Sequence, residues 1–128
     1  MSCRVLLVDD FAPWRRLVRS MLGELEQFQI VGESADGSEA VQKARSLKPD
    51  LVLLDLGLPT LNGMDAAEQI GKAAPNAKII FVTQNRDADV MNAALSNGAR
   101  GYIFKPRAVR DLLPAIRAVL MGRTFVSG

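Results

Sequence analysis

The sequence predicts an α/β domain of five strands alternating with five helices, and three observations point there. Short runs rich in Val, Ile and Leu alternate with longer stretches whose apolar residues recur at three- and four-residue spacing. Gly, Pro, Asn and Asp punctuate the boundaries. Residues 5–8 and 51–54 are apolar throughout rather than alternating, as strands buried on both faces are. Parallel strands need crossover connections, so helices should cover both faces of one parallel sheet.

Residues 4–8 (Arg-Val-Leu-Leu-Val) form the first strand and run into Asp9-Asp10. A helix follows, with Pro13 near its first turn and Leu17, Val18, Met21, Leu22 and Leu25 on one stripe. Residues 29–34 read as a weaker strand containing Gly32. Asp36-Gly37-Ser38 then cap a helix with Ala40, Val41, Ala44 and Leu47 inward, stopped by Pro49. Leu51–Leu54 is the third strand, ending at Asp55, and a Gly/Pro/Asn-rich loop over 57–63 leads to a helix near 64–74. Pro75 and Asn76 make a turn before the fourth strand, Lys78–Thr83. A helix over 87–97 is ended by Gly98 in the left-handed cap position, and Gly101–Phe104 is the fifth strand. The last helix ends near Met121 and holds a conflict, since Pro114 lies among Leu112, Leu113, Ile116, Val119 and Leu120. Proline inside a helix costs about 3 kcal/mol. Either Asp111 is the N-cap, which places Pro114 in the tolerant first turn, or the helix starts earlier and is slightly kinked.

At 128 residues one domain is expected, and 48% hydrophobic with 23% charged residues excludes a disordered chain. The net charge of +2 is small and the basic residues are scattered, so direct nucleic-acid binding is not expected. The apolar run after Arg4 is too short for a signal h-region or a membrane span. The single cysteine, Cys3, reads as a small apolar residue near a strand end and suits the reducing cytoplasm. Histidine is absent, which excludes His-based metal sites, Ser/His and Cys/His nucleophile pairs and histidine pH sensing. Carboxylates must carry any chemistry.

Ligands of an open parallel sheet bind beyond the carboxyl ends of its strands. Asp9 and Asp10 end the first strand, Asp55 the third and Thr83 the fourth, while Lys105 follows the fifth, so all five should project over one edge. Three converging carboxylates raise the pKa of at least one unless a cation neutralises them. An all-oxygen set suits Mg²⁺, or Mn²⁺.

Val8-Asp9-Asp10, Leu54-Asp55-Leu56 with Pro59 and Gly63, Val82-Thr83, and Phe104-Lys105-Pro106 together resemble the response-regulator receiver domains of two-component signalling, over essentially the whole chain. Residues 98–122, with Gly101-Tyr102-Ile103 and the run from Leu112 to Arg117, further resemble the NarL/LuxR-type subfamily. The resemblance implies one receiver domain over 1–128, a flavodoxin-like doubly wound sheet of order 2-1-3-4-5 with five helices. It implies phosphorylation of Asp55 by a sensor histidine kinase or a small phosphodonor. Asp10 and Asp55 would ligate Mg²⁺ directly, Asp9 through water and Gly57 through its carbonyl. Lys105 and the backbone near Gln84 would contact the phosphoryl group, and Thr83 and Tyr102 would act as the switch, Tyr102 turning between inward and outward rotamers. A cis bond before Pro106 would fix the lysine's approach. Such a domain catalyses only its own phosphorylation and dephosphorylation. A homodimer on phosphorylation and a C-terminal DNA-binding domain are further implied; no helix-turn-helix pattern lies within these residues, so the chain is expected to be a stand-alone receiver or, on the subfamily resemblance, a piece of a transcription regulator.

Gly57 and Gln84 depart from the family pattern, and the bulky Gln84 is expected to slow phosphodonor access or alter hydrolysis. Taken singly, the Asp pair would be turn residues, Thr83 a strand residue, Tyr102 a half-buried aromatic and Lys105 a solvated charge; jointly they gain meaning. Trp14 reads as a cover for the first helix's packing face. A receiver fold acting without phosphorylation would need a broken acidic site. A phosphohydrolase of the aspartyl-phosphate type would want Asp-x-Asp on the first strand. A flavin-binding domain would want a Ser/Thr/Gly-rich loop where Asp10-Phe11-Ala12-Pro13 stands.

Overall fold

The computed structural model describes residues 2–127. Six strands, β1 (Cys3–Val8), β2 (Phe28–Ser34), β3 (Leu51–Leu54), β4 (Lys78–Thr83), β5 (Gly101–Phe104) and β6 (Phe125–Val126), form one sheet in the order β2-β1-β3-β4-β5-β6, every pair parallel. Helices α1 (Ala12–Gly23), α2 (Gly37–Leu47), α3 (Gly63–Ala73), α4 (Ala88–Ser96) and α5 (Ala108–Leu120) intervene. The five-strand expectation is corrected by β6, which pairs Gly101 with Phe125 and Tyr102 with Val126. Two paired residues carry no readable periodicity, although Thr124-Phe125-Val126 is β-branched and aromatic.

The strands are apolar on both sides because both sides are covered. Val5, Leu7, Leu51, Leu53, Ile80, Val82 and Ile103 belong to one core layer, with Val18 and Leu22 of α1 and Leu112, Ile116 and Val119 of α5. Leu6, Val8, Val52, Leu54, Ile79, Phe81 and Tyr102 belong to the other, with residues of α2, α3 and α4. Each fully buried Leu, Ile or Phe contributes about 1.5–3 kcal/mol of burial energy, so the sheet is the rigid base from which the strand ends project.

Side-chain caps fix where the helices begin. Asp36 accepts from the Glu39 amide at 2.7 Å, Asn62 from Asp65 at 3.0 Å and Asp87 from Asp89 at 2.8 Å. Gly98, at φ 103°, follows α4 in the left-handed conformation expected of it.

Two expectations at the C-terminal end are resolved or corrected. Helix α5 starts at Ala108 with Pro114 inside it, so Asp111 is not its N-cap. Pro114 and Arg110 are both exposed, so water can solvate the Arg110 carbonyl that loses its partner. The Lys105–Pro106 bond is trans, since no peptide bond among the described residues is cis. Lys105–Arg107 form a 3-10 turn with proline in its opening positions, where a trans bond and proline's fixed φ already suit a helical start.

Candidate functional site

The register of the central strands brings the acidic residues together. Val8 pairs with Leu54, so the residues that follow, Asp9 and Asp55, leave neighbouring strands side by side. Asp9, Asp10 and Asp55 each offer a carboxylate oxygen within 4.8 Å of the others. Lys105 Nζ lies 2.6 Å from Asp9 Oδ2 and 3.5 Å from Asp55 Oδ2. Asp9 is almost wholly enclosed, the side chains of Lys105 and Asp55 are 10% and 14% exposed, and Asp10 is open to solvent.

Burial pushes the Asp9 carboxyl above its usual range; Lys105 and the Phe11 amide oppose the shift, and the Asp55 charge adds to it. The Phe11 amide donates to Asp9 Oδ1 at 2.9 Å. Asp9 Oδ2 faces the Lys105 ammonium at 2.6 Å, and no other group among the described residues hydrogen-bonds it. Three carboxylates against one ammonium leave a net negative, oxygen-lined site, which fits a hard divalent ion.

Close backbone packing shapes the loop that leaves Asp55. A Cβ on Gly63 would stand 2.2 Å from the Asp55 carbonyl oxygen and 2.6 Å from Leu56 Cα. The Gly63 amide donates to the Leu56 carbonyl at 2.8 Å, and the Leu56 amide to Asp55 Oδ1 at 2.8 Å. One Asp55 oxygen is thus anchored by its neighbour's amide while the other faces Lys105. Gly57 is exposed with open space around it.

Thr83 is buried at the end of β4, and its hydroxyl accepts from the Asn85 amide at 3.2 Å. Tyr102 is 3% exposed and its hydroxyl donates to the Asn85 carbonyl at 2.9 Å, which places the ring in the inward position. Burial, then the charges of Asp87 and Asp55, push the Tyr102 hydroxyl pKa up and keep it a donor. Gln84 is exposed at the start of the same loop.

Four residues that sequence reasoning left without a role stand in or around this site. Asn85 joins Thr83 to Tyr102 through its backbone. The Trp14 ring lies under Lys105, its centroid 5.1 Å from Nζ. Arg15 donates to the Asp9 carbonyl at 2.5 Å and to Glu33 at 3.1 Å. Only the Trp14 and Arg15 positions, one helical turn from the Asp pair, carried a signal that could have found them. Ser127 accepts from the Phe104 amide at 3.2 Å and donates to buried Asp111 at 2.8 Å, tying β6 to β5 and α5. Cys3 stands at the opposite end of β1 from Asp9; burial, then Asp50, pushes its thiol up to about 11 against Lys78, so it stays protonated.

The family model of the response regulator receiver domain matches residues 5–117. The chain belongs to this family. It is 35% identical to the response regulator GacA of Pseudomonas viridiflava over 97% of this chain and 58% of that protein. It is 37% identical to the response regulator protein VraR of Staphylococcus saprophyticus over 91% of this chain and 56% of that one. A two-component response regulator of the LuxR family from Aurantimonas superposes with a TM-score of 0.91 at 32% identity, covering 98% of this chain and 89% of that structure. That likeness agrees with the NarL/LuxR-type resemblance. The chain spans a little over half the length of the curated relatives it matches, and among its described residues no helix of this receiver domain is long and apolar enough to cross a membrane.

Proposed function

We propose that this receiver domain accepts a phosphoryl group on Asp55 from the phosphohistidine of a sensor histidine kinase, in a Mg²⁺-dependent reaction. The observation that carries this is the convergence of the Asp9, Asp10 and Asp55 carboxylates with the Lys105 ammonium on one sheet edge. Asp10 and Asp55 would hold the ion directly, Asp9 through water and Gly57 through its carbonyl. When bound, the ion supplies charge neutralisation for the incoming phosphoryl group.

The chain's own residues supply the rest. An Asp55 carboxylate oxygen attacks phosphorus, the P–N bond of the donor breaks, and its electron pair stays on the imidazole nitrogen, which takes a proton. The new bond is an acyl phosphate. Lys105, already near Asp55, stabilises the charge on the transferring oxygens, and the backbone amide of Gln84 would donate to another. The Thr83 hydroxyl can donate to a phosphoryl oxygen while it keeps the Asn85 amide bond. The loop then moves with it, and Tyr102 responds through its bond to the Asn85 carbonyl. Homodimerisation, a DNA-binding output domain, transcription regulation and a cytoplasmic location complete the reading by likeness to the longer relatives.

Incubation with acetyl phosphate and Mg²⁺, followed by intact mass, tests it. The wild type should gain one phosphoryl group and Asp55→Asn none, and chelation of Mg²⁺ should abolish the gain. A wild type that stays unmodified would favour a receiver fold acting without phosphorylation.

A further inference from the structure

We propose that Trp14 is a positioning residue for phosphoryl transfer, its indole face holding the Lys105 ammonium between Asp9 and Asp55. This rests on Asp55 being the phosphoacceptor. The Lys105 Nζ is 5.1 Å from the Trp14 ring centroid, 2.6 Å from Asp9 Oδ2 and 3.5 Å from Asp55 Oδ2.

Lysine ends a flexible four-carbon stem and carries three N–H donors with no acceptor, so its position is set by what surrounds the ammonium. Here one direction is taken by Asp9 and one by the indole, the strongest aromatic partner for a cation. Trp14 is partly buried against the core layer that includes Val18, Leu7 and Val82, so the ring is itself held in place. It stands where water would otherwise solvate the ammonium, and a less hydrated ammonium acts more strongly on a nearby charge. Asp9 alone would draw Lys105 away from Asp55; the ring and the 3.5 Å approach to Asp55 keep the third direction turned toward the phosphoryl position. Lys105 is thereby placed before the phosphoryl group arrives, and its ordering costs nothing at the moment of reaction. Trp14 touches neither donor nor phosphoryl group and acts through the lysine.

Trp14→Leu should slow phosphorylation by acetyl phosphate at saturating Mg²⁺ by about three- to tenfold, the range of a partly desolvated cation–π contact. Trp14→Phe, which keeps a ring of weaker charge attraction, should retain an intermediate rate. In a Lys105→Met background the same Trp14→Leu change should cost nothing further, because the partner through which it acts is gone. A purely structural role would give the same loss in both backgrounds. Trp14 is also the only tryptophan, so its fluorescence should change on Lys105→Met with no phosphodonor present. Unaltered rates in Trp14→Leu, equal losses in both backgrounds, or unchanged fluorescence on Lys105→Met would overturn the inference while leaving Asp55 as acceptor. A wild type with no adduct would overturn both. Melting curves of Trp14→Phe separate misfolding from mispositioning.

Discussion

Replacing Lys105 by Met removes the ammonium that is ion-paired to both Asp9 and Asp55 without leaving a large void. Asp9 is 2% and Lys105 10% exposed as side chains, so little solvent screens their 2.6 Å ion pair. Breaking such a pair by deleting one partner costs about 3–5 kcal/mol. Asp9 can escape part of that penalty by taking a proton, and Asp55 is somewhat more open, so the lower end applies: about 3 kcal/mol at pH 8 without divalent ions. For a chain of 128 residues the unfolding entropy is about 0.27 kcal/mol per degree, so the melting temperature should fall by about 11 °C. The sign of the pH effect follows from Asp9. Its folded pKa already stands above the ordinary 3.8 and should rise further without the ammonium. Between the unfolded and folded values the native state binds more protons than the unfolded one, so stability falls as pH rises through that window. The deficit of Lys105→Met should therefore shrink at acidic pH and shrink again with Mg²⁺. Urea melts at pH 8 and pH 5, with EDTA and with Mg²⁺, measure all of this. A variant as stable as wild type at pH 8 in EDTA would refute the claim that Lys105 neutralises a strained acidic site.

Four other outcomes are expected. Saturating Mg²⁺, at a hundredfold excess over its dissociation constant, should stabilise the wild type by about 2.7 kcal/mol in thermal melts. Asp10→Asn should raise apo stability by about 1 kcal/mol, the order of the Coulomb repulsion in water between charges held within 4.8 Å, and should weaken the response to Mg²⁺. Gly63→Ala should cost about 3 kcal/mol and perturb the Asp55 loop, because its Cβ would strike backbone rather than a yielding side chain; circular dichroism melts and phosphorylation assays would both register it. Ser127→Ala should cost about 1–2 kcal/mol by stripping the Phe104 amide and the buried Asp111 carboxylate of a shared partner, seen as a drop of about 4–7 °C in melting temperature.

The strands Leu51–Leu54, Lys78–Thr83 and Gly101–Phe104 could be read from the sequence to the residue, because the interior of each is buried on both faces and polar or turn-forming residues bound each apolar run. The acidic residues were legible for a related reason: carboxylates directly after such runs must stand at the sheet's carboxyl edge. What escaped depends on partners distant in sequence. Strand β6 exists through its pairing with β5 and the Ser127 bridge, neither of which leaves a local pattern. The start of α5 turned on whether the carbonyl behind Pro114 could reach water, a question of exposure rather than of residue type. The trans geometry before Pro106 follows from the 3-10 turn that begins there, which a Lys-Pro pair alone does not specify. Trp14 looked like an ordinary packing residue because its ring serves the core and the Lys105 ammonium at once, and Lys105 lies far along the chain.

Which carboxylate takes the phosphoryl group decides the central claim, since Asp9, Asp10 and Asp55 stand within 4.8 Å of one another. Borohydride reduction of the acetyl phosphate-treated protein, followed by peptide sequencing in a mass spectrometer, converts an acyl phosphate to homoserine at the residue that carried it. Homoserine should appear at position 55 alone. Homoserine at position 9 or 10, or a phosphate that survives on a serine or threonine, would contradict the account.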